Sequence, residues 1–480
     1  MSVMTKQSIY LFCLLIIFLL AKCGPAEEET EPEPDIEQEA ELYQDEERIN
    51  FAEINHYLHG IYMTSAISRE SEMGHENYRP ELFDEPMRNR AEQWLEYIQW
   101  IESNLNQDGR LYESISREGE NVDETLKMEN YQNAVYHYHM HHRGDRYEHH
   151  DGLDDRIFQR PSRFISNIGV YLLQNHLEDG LFYLDSEHTE YDNNSMSLGL
   201  DGIHGHIYAW IRWDKPGGED DMGELTKDFL ITWLRVGPDG LTEYSRQIAD
   251  QLDAHWDENA GIYDFGSGTT YSLEELGGLI RGKKAVYEML YVFGGDGDRE
   301  RIETMFNRGA DIVEATLDAA QPWGLPSEIM FENGEAVAAS DEVDLTQLYT
   351  FINTKLGGFS YEREREGTSM MLQNERPDLI EALGEFTDNV LLHSIDDWQQ
   401  NGFLISSVDF ETGEIIDDRH AVSPIGMFIT AAGNAYRAGD AFERASDWDD
   451  VSDEVRENSE LLYDTIISHT EFLEQNYLLP

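Results

Sequence analysis

Cysteine is confined to the front of this chain: among 480 residues only Cys13 and Cys23 carry a thiol. Everything after residue 23 therefore has no disulfide, no thiolate metal site and no cysteine nucleophile. Lysine is nearly as scarce, with eight residues, and Lys plus Arg reach 34 against 97 Asp plus Glu, a formal net charge of −63. A field of that sign repels nucleic acid and acidic polymers at low salt. The acidic residues are dispersed rather than blocked, which fits a high-salt habitat where dissolved ions screen the repulsion. Long apolar runs are also missing. The stretch from Ile9 to Leu20 is too short to span a bilayer, and no later segment is apolar for long enough to do so.

What is present at the front reads as an export signal. Lys6 precedes the apolar run, whose length suits a signal-peptide core. The run ends in Leu20-Ala21-Lys22-Cys23-Gly24. This resembles the lipobox of bacterial lipoproteins, although Lys22 departs from the small residue usual before the cysteine. The resemblance implies removal of residues 1–22 and lipidation of Cys23, so that the protein is exported and meets a membrane only through that anchor. Residues 23–48 are mostly Glu and Pro with little apolar content, the composition of a disordered, self-repelling tether. Residues 49–480 remain as one folded domain.

Within that domain the pattern repeats. Six helix-like segments, about 50–67, 128–143, 198–213, 272–293, 343–358 and 421–438, recur at roughly 70 to 78 residues and end near glycine. Four of those ends enter an acidic turn: Gly144-Asp145, Gly218-Glu219, Gly295-Asp296 and Gly439-Asp440. Glycine suits a left-handed helix end, and the acid suits the cap of the next helix. A second, amphipathic helix follows each segment. Met87 to Asn106 keeps Trp94, Leu95, Ile98, Ile101 and Leu105 on one stripe, whereas Ala421 to Gly439 is apolar or small all round. A Gly-plus-apolar return then closes most units, at Gly109, Gly180, Gly261, Gly324 and Gly402. Alternating buried and half-exposed helices predict an inner and an outer layer.

This cadence resembles the six-hairpin glycosidases and polysaccharide lyases, and the sugar epimerases of the same shape. The resemblance covers about residues 50–478 and rests on architecture, not on a catalytic motif. It implies an all-α (α/α)6 toroid, with a carbohydrate cleft among the loops that lead into the inner helices. No cofactor or metal is implied, and a monomer is expected.

Those loops are rich in aromatic and polar residues. They carry Tyr131 and Asn133; Asn193, Asn194, Asp201, His204 and His206; Tyr271, Glu274 and Glu275; Trp323, Glu328, Asp341, Asp344 and Tyr349; and Asp409, Asp418 and His420. Aromatic faces stack on sugar rings, while carboxylates and amides hold hydroxyls. Glycoside hydrolysis needs two carboxyl groups across the scissile bond. Asp201 and Glu275, expected at the starts of the third and fourth inner helices, are the candidate pair. Tyr131, Asn133, Tyr208, Tyr271, Trp323, Glu328, Tyr349 and His420 are candidate sugar contacts. On a helix His204 and His206 point apart and cannot share one ion, whereas His204 and Tyr208 share a face. With Asn133 they would suit lyase chemistry, an alternative that −63 disfavours because its substrate is polyanionic. A non-catalytic glycan-binding or scaffolding lipoprotein is the alternative from another class. The histidines between His137 and His150 read as the polar end of an inner helix on the face opposite the cleft.

Overall fold

The computed structural model describes residues 41–70, 93, 96–134, 167–207, 237–353, 376–438 and 452–477. The chain divides after Ala40 into two units, and the second runs from Glu41 to Pro480. Its first strands are β1 (Leu42–Tyr43) and β2 (Arg48–Asn50), and β2 runs directly into α1 (Phe51–Glu70). Outer-layer residues 96–104 are helical. They lead through the hairpin β3 (Asn106–Gln107) and β4 (Arg110–Leu111) and the strands β5 (Ser114–Ser116) and β6 (Val122–Asp123) to α2, Met128–Ala134.

The same unit then recurs. Helical residues 167–175 lead through β7 (Leu177–Glu178) and β8 (Leu181–Phe182) to α3, Asn193–Gly202. The outer helix α4 (Pro238–Ala254) leads through β9 (Trp256–Asp257), β10 (Ile262–Tyr263) and β11 (Thr270–Ser272) to α5, Leu273–Phe293. Next, α6 (Arg299–Asp318) leads through β12 (Glu328–Glu332), β13 (Glu335–Ala338) and β14 (Glu342–Asp344) to α7, Leu345–Phe351. Last, α8 (Pro377–Asn401) leads through β15 (Ser407–Asp409), β16 (Ile415–Asp417) and β17 (His420–Ala421) to α9 (Val422–Ala438), and α10 (Asp453–Asn476) completes the outer layer.

The helices α1, α2, α3, α5, α7 and α9 each pack on the next, and α9 packs back on α1. The domain is thus a closed (α/α)6 toroid. Glycines let the inner helices approach. A Cβ on Gly60 of α1 would stand 3.3 Å from the Cα of Gly426 in α9, and one on Gly282 of α5 would stand 2.6 Å from Leu200 in α3.

Strand pairing brings the inner-helix N-termini to one rim. β2 pairs antiparallel with β5, β11 with β12, and β14 with β15. The first amide of each helix that follows completes the ladder: Phe51 N–H donates to Glu113 O (2.9 Å), Leu273 N–H to Ser327 O (3.0 Å) and Leu345 N–H to Ser406 O (3.1 Å). Residues 42–48, expected in the tether, instead join 49–50 in strapping the seam. β1 pairs in parallel with β17 of the last unit while β2 joins the first unit. Gln44 Nε2 donates to Asn476 O, and Arg117 Nε donates to Asp45 O, each at 2.8 Å.

The glycine returns have the geometry the sequence suggests. Gly109, Gly180, Gly261, Gly324 and Gly402 all have positive φ. The helix-ending glycine differs where it is described: Gly294 is extended at φ −76°, donating to Leu290 O, and Gly295 opens a 3-10 turn. There Asp298 accepts from the Gly295 amide (3.1 Å) and pairs with Arg246 (2.9 Å). The turns at Gly144, Gly218 and Gly439 lie outside the described residues, as do the histidines from His137 to His150.

Candidate active site

The rim has a regular construction. In all six inner helices the first residue is buried: Phe51, Met128, Asn193, Leu273, Leu345 and Val422. The second is half-buried: Ala52, Glu129, Asn194, Glu274, Thr346 and Ser423. A helix advances about 100° per residue, so fixing the first side chain in the interlayer core sets the direction of the second. Three consecutive inner helices thereby contribute Glu129, Asn194 and Glu274. Asn194 Nδ2 donates to Glu129 Oε1 at 2.9 Å, tying α3 to α2.

Glu274 lies among other acids. Burial pushes its carboxyl up to about 8, reinforced by the charges of Glu129, Asp344, Glu275 and Asp201. Burial likewise raises Glu275 and Asp344, but both also cap helices. The Ser272 amide donates to Glu275 Oε2 (2.8 Å), while Ser272 Oγ accepts from the Glu275 amide (3.1 Å). Asp344 accepts from the Gln347 amide (2.9 Å). Glu275 thus joins a capping box and also reaches the Asn194 side chain, while Glu274 is the carboxyl of this turn raised by burial and by Glu129 and Asp344.

Asp201 occupies a different level. A capping box between Asp192 and Ser195 starts α3 at Asn193, five residues before the expected start. Asp201 is consequently the ninth residue of its helix, about 9 Å deeper than the third-residue level of Glu275 at 1.5 Å per residue. It is fully buried and held by both arms of Arg281, with Arg281 Nη2 2.5 Å from Asp201 Oδ2. A carboxylate so paired is not a rim acid. The expected pair thus stands at two levels: Asp201 is a buried ion-pair partner rather than a helix-start residue, whereas Glu275 caps α5 at the rim beside Asn194.

The expected sugar-stacking tyrosines face the interlayer core instead. Tyr131, Tyr271 and Tyr349 are all fully buried. Tyr131 Oη accepts from the Leu111 amide (3.0 Å) and its ring stacks on Tyr171; Tyr271 Oη donates to Tyr263 O (2.7 Å); Tyr349 Oη bonds Ser394 Oγ (2.7 Å). Each hydroxyl is satisfied within the two layers, which is how large amphipathic rings become core.

Trp323 is half-buried, donating from Nε1 to Phe410 O (2.9 Å). Glu328 is exposed on β12. His420 Nδ1 lies 3.1 Å from Leu404 O, with its ring against Phe403. His204 and His206 are buried, and a Cβ on Gly169 would meet His206 Nδ1 at 3.0 Å. Asn133 belongs to α2, while Tyr208 and Cys23 lie outside the described residues. Exposed rings near helix starts are Tyr43, capped by the Arg419 guanidinium 4.3 Å from its centroid, and Tyr191, edge-on to Tyr183.

No family model and no curated protein matches the chain. Among solved structures it is similar to a sugar epimerase from a ruminal bacterium, at 12% identity and a TM-score of 0.45 over 82% of this chain and 91% of that one. It is also similar to a D-mannose isomerase, at 11% and 0.46 over 83% and 91%. A cellobiose 2-epimerase from Spirochaeta thermophila matches at 11% and 0.44 over 81% and 87%.

Proposed function

We propose that the protein is a carbohydrate-active enzyme, and that it hydrolyses glycosidic bonds at the rim where α2, α3 and α5 begin. The observation that carries this reading is the pair Glu274 and Glu129. Burial and its neighbours keep Glu274 protonated near neutral pH, while Glu129 is oriented by an amide. A hydrolase needs one carboxyl that arrives with its proton and another that works without one. Glu274 would protonate the leaving glycosidic oxygen as the bond to the anomeric carbon breaks. Glu129 would then serve the other face, as the base for water or as the nucleophile.

A panel of neutral polysaccharides assayed for new reducing ends tests this. Glu274→Gln and Glu129→Gln should each lower turnover by about 10²-fold or more. The alkaline limb of the wild-type profile should fall near pH 8, where Glu274 loses its proton. Full activity in both variants would overturn the assignment. Binding of a glycan without turnover would favour a non-catalytic glycan-binding protein using the same rim.

We also propose export and lipid anchoring through Cys23, on the strength of Lys6, the apolar run and the acidic tether. Cys23→Ser should move the protein from the membrane fraction to the soluble one; retention in the membrane fraction would refute lipidation.

A further inference from the structure

With Tyr131, Tyr271 and Tyr349 taken into the interlayer core, the exposed rings among the described residues are Tyr43, Tyr191 and Tyr291. Tyr291 stands in the last turn of α5, at the end away from the rim, and Tyr191 is edge-on to Tyr183 and His255. Tyr43 is placed differently. On β1 it lies opposite Ala421, the residue just before α9 starts, so it belongs to the rim. Successive side chains of a strand point to opposite faces. Leu42 is accordingly buried, while Tyr43 is 47% exposed on the other face.

The Tyr43 ring is held before any ligand arrives. The Arg419 guanidinium lies over one of its faces, 4.3 Å from the centroid. Arg419 is in turn gripped by Asp417, with Nε 2.8 and 2.9 Å from the two carboxylate oxygens. A cation over one face leaves the other face for a ligand, and a side chain fixed in advance loses little entropy when it is used.

Its place in the ring of helices decides what can reach it. The inner helices follow one another in the order α1, α2, α3, α5, α7, α9, so the seam between α9 and α1 is opposite the joint of α3 and α5, where Asn194 and Glu274 stand. Neighbouring helix axes lie about 8 to 10 Å apart, which puts opposite sides of a six-helix ring about 15 Å apart. One pyranose ring cannot cover that span, whereas a chain of several can. Charge narrows the ligand further. Asp45, Glu46 and Glu47 share the strap with Tyr43, and Glu129, Glu274 and Asp344 stand on the other helices of the rim. A mouth of that sign repels polyanions, while uncharged sugars can lay C–H faces on the open side of the phenol.

We propose that Tyr43 is a stacking platform for a neutral glycan that crosses the mouth of the toroid, which makes the substrate class an oligosaccharide or polysaccharide chain rather than a free sugar. The inference rests on the reading that this rim takes carbohydrate, and it deepens that reading.

The test reads Tyr43 in the wild-type protein, through the rate at which iodine modifies each exposed tyrosine, followed by peptide mass spectrometry. A long neutral glycan at about ten times its Kd should slow the iodination of Tyr43 about tenfold, since only the free fraction reacts, while Tyr291 keeps its rate. A short glycan at the same occupancy of the rim should leave Tyr43 reactive. Binding should tighten from short glycans to long ones, and Tyr43→Ala should remove that gain, about tenfold, whereas Tyr43→Phe should keep it. If Tyr43→Ala loosens the strap, protection of the wild-type ring decides alone. Equal protection by short glycans, or none by any glycan, overturns the proposal, as does protection by a cationic peptide in place of a glycan. Protection by long glycans in a protein that turns none over sinks the hydrolase reading and leaves this one standing; turnover with Tyr43 unprotected does the reverse.

Discussion

Lys283 is the residue that the two helix layers accommodate least well. It projects from α5 toward α6, is 1% exposed, and its Nζ finds no hydrogen-bond partner among the described residues. A Cβ on Gly309 would stand 2.7 Å from Nζ, so the amine occupies room that only glycine leaves. The Tyr263 ring, 5.5 Å away, offers it a cation–π contact. Burial, with the Arg308 charge adding to it, holds the amine down to about 7 against an ordinary 10.5. Between those values the unfolded chain binds a proton that the folded chain refuses. Stability is therefore lost as pH falls from 10.5 toward 7, and the loss is complete below that. Lys283→Met should stabilise the domain at pH 7, by on the order of a few kcal/mol before repacking is counted. The gain should shrink at pH 10. Thermal melts at the two pH values check it, and equal gains at both would show that packing, not charge, sets the effect.

Among the elements, the hairpins that follow the outer helices are the joints between repeats. Gly109 closes against the next unit's outer layer, where a Cβ would stand 2.8 Å from Tyr171 Cβ. Gly180 does the same against α4, at 2.8 Å from the Ile248 amide nitrogen, with φ +84°. Gly180→Ala therefore meets both a left-handed backbone and neighbouring main chain that cannot rotate away. A loss of roughly 2 to 4 kcal/mol is expected. Urea unfolding measures it, and a change below about 0.5 kcal/mol would mean that α4 shifts freely on its neighbour.

These joints, and most inner-helix starts, were legible in the sequence. Starts expected at 50, 128, 272, 343 and 421 fall at 51, 128, 273, 345 and 422, because glycine returns and apolar faces recur at one period. The third helix begins five residues before its expected start at 198, because Asn193 and Asn194 look like loop residues until the Asp192–Ser195 box is seen. Counted from 198, Asp201 falls at the rim. Tyr131 and Tyr349 are hard to place for a related reason: an aromatic one turn into an inner helix can face either the axis or the outer layer, and composition does not give the phase; Tyr271, on β11, poses the same choice between the two faces of a strand. The phase comes from the buried first residue of each helix, a signal present in the sequence once the starts are fixed. It would have marked Glu129 and singled out Glu274 from the other rim residues.

At the scale of the whole molecule, charge works against closure. The outer layer spends its arginines on local pairs: Arg301–Asp250 at 2.5 Å, Arg308–Asp253 at 2.6 Å and Arg376–Glu314 at 2.8 Å. Exposed pairs of this kind each contribute about 0 to 1 kcal/mol, and a formal charge of −63 remains after every cation is counted. Salt weakens both effects, but the unpaired acids far outnumber the pairs, so screening should favour the fold. A ring adds a specific liability, since its seam must hold the last unit to the first. Here the seam relies on α9 against α1 and on the strap at residues 42–50, which carries Asp45, Glu46 and Glu47. The strap is anchored by Arg117 and Gln44, yet Glu53 lies beneath it, its carboxyl pushed up to about 7 by burial and by the Asp45 charge. Repulsion is thus concentrated where closure is needed. The melting temperature should rise by several degrees between low and molar sodium chloride, and backbone amides at 42–50 should gain hydrogen-exchange protection over the same range. Below about pH 7 Glu53 takes up its proton, so the salt dependence of those amides should be weaker at pH 5 than at pH 8. A melting temperature that stays flat or falls with salt would show that the acidic surface carries no net repulsion. Protection at 42–50 that ignores both salt and pH would show that the seam is held by packing alone.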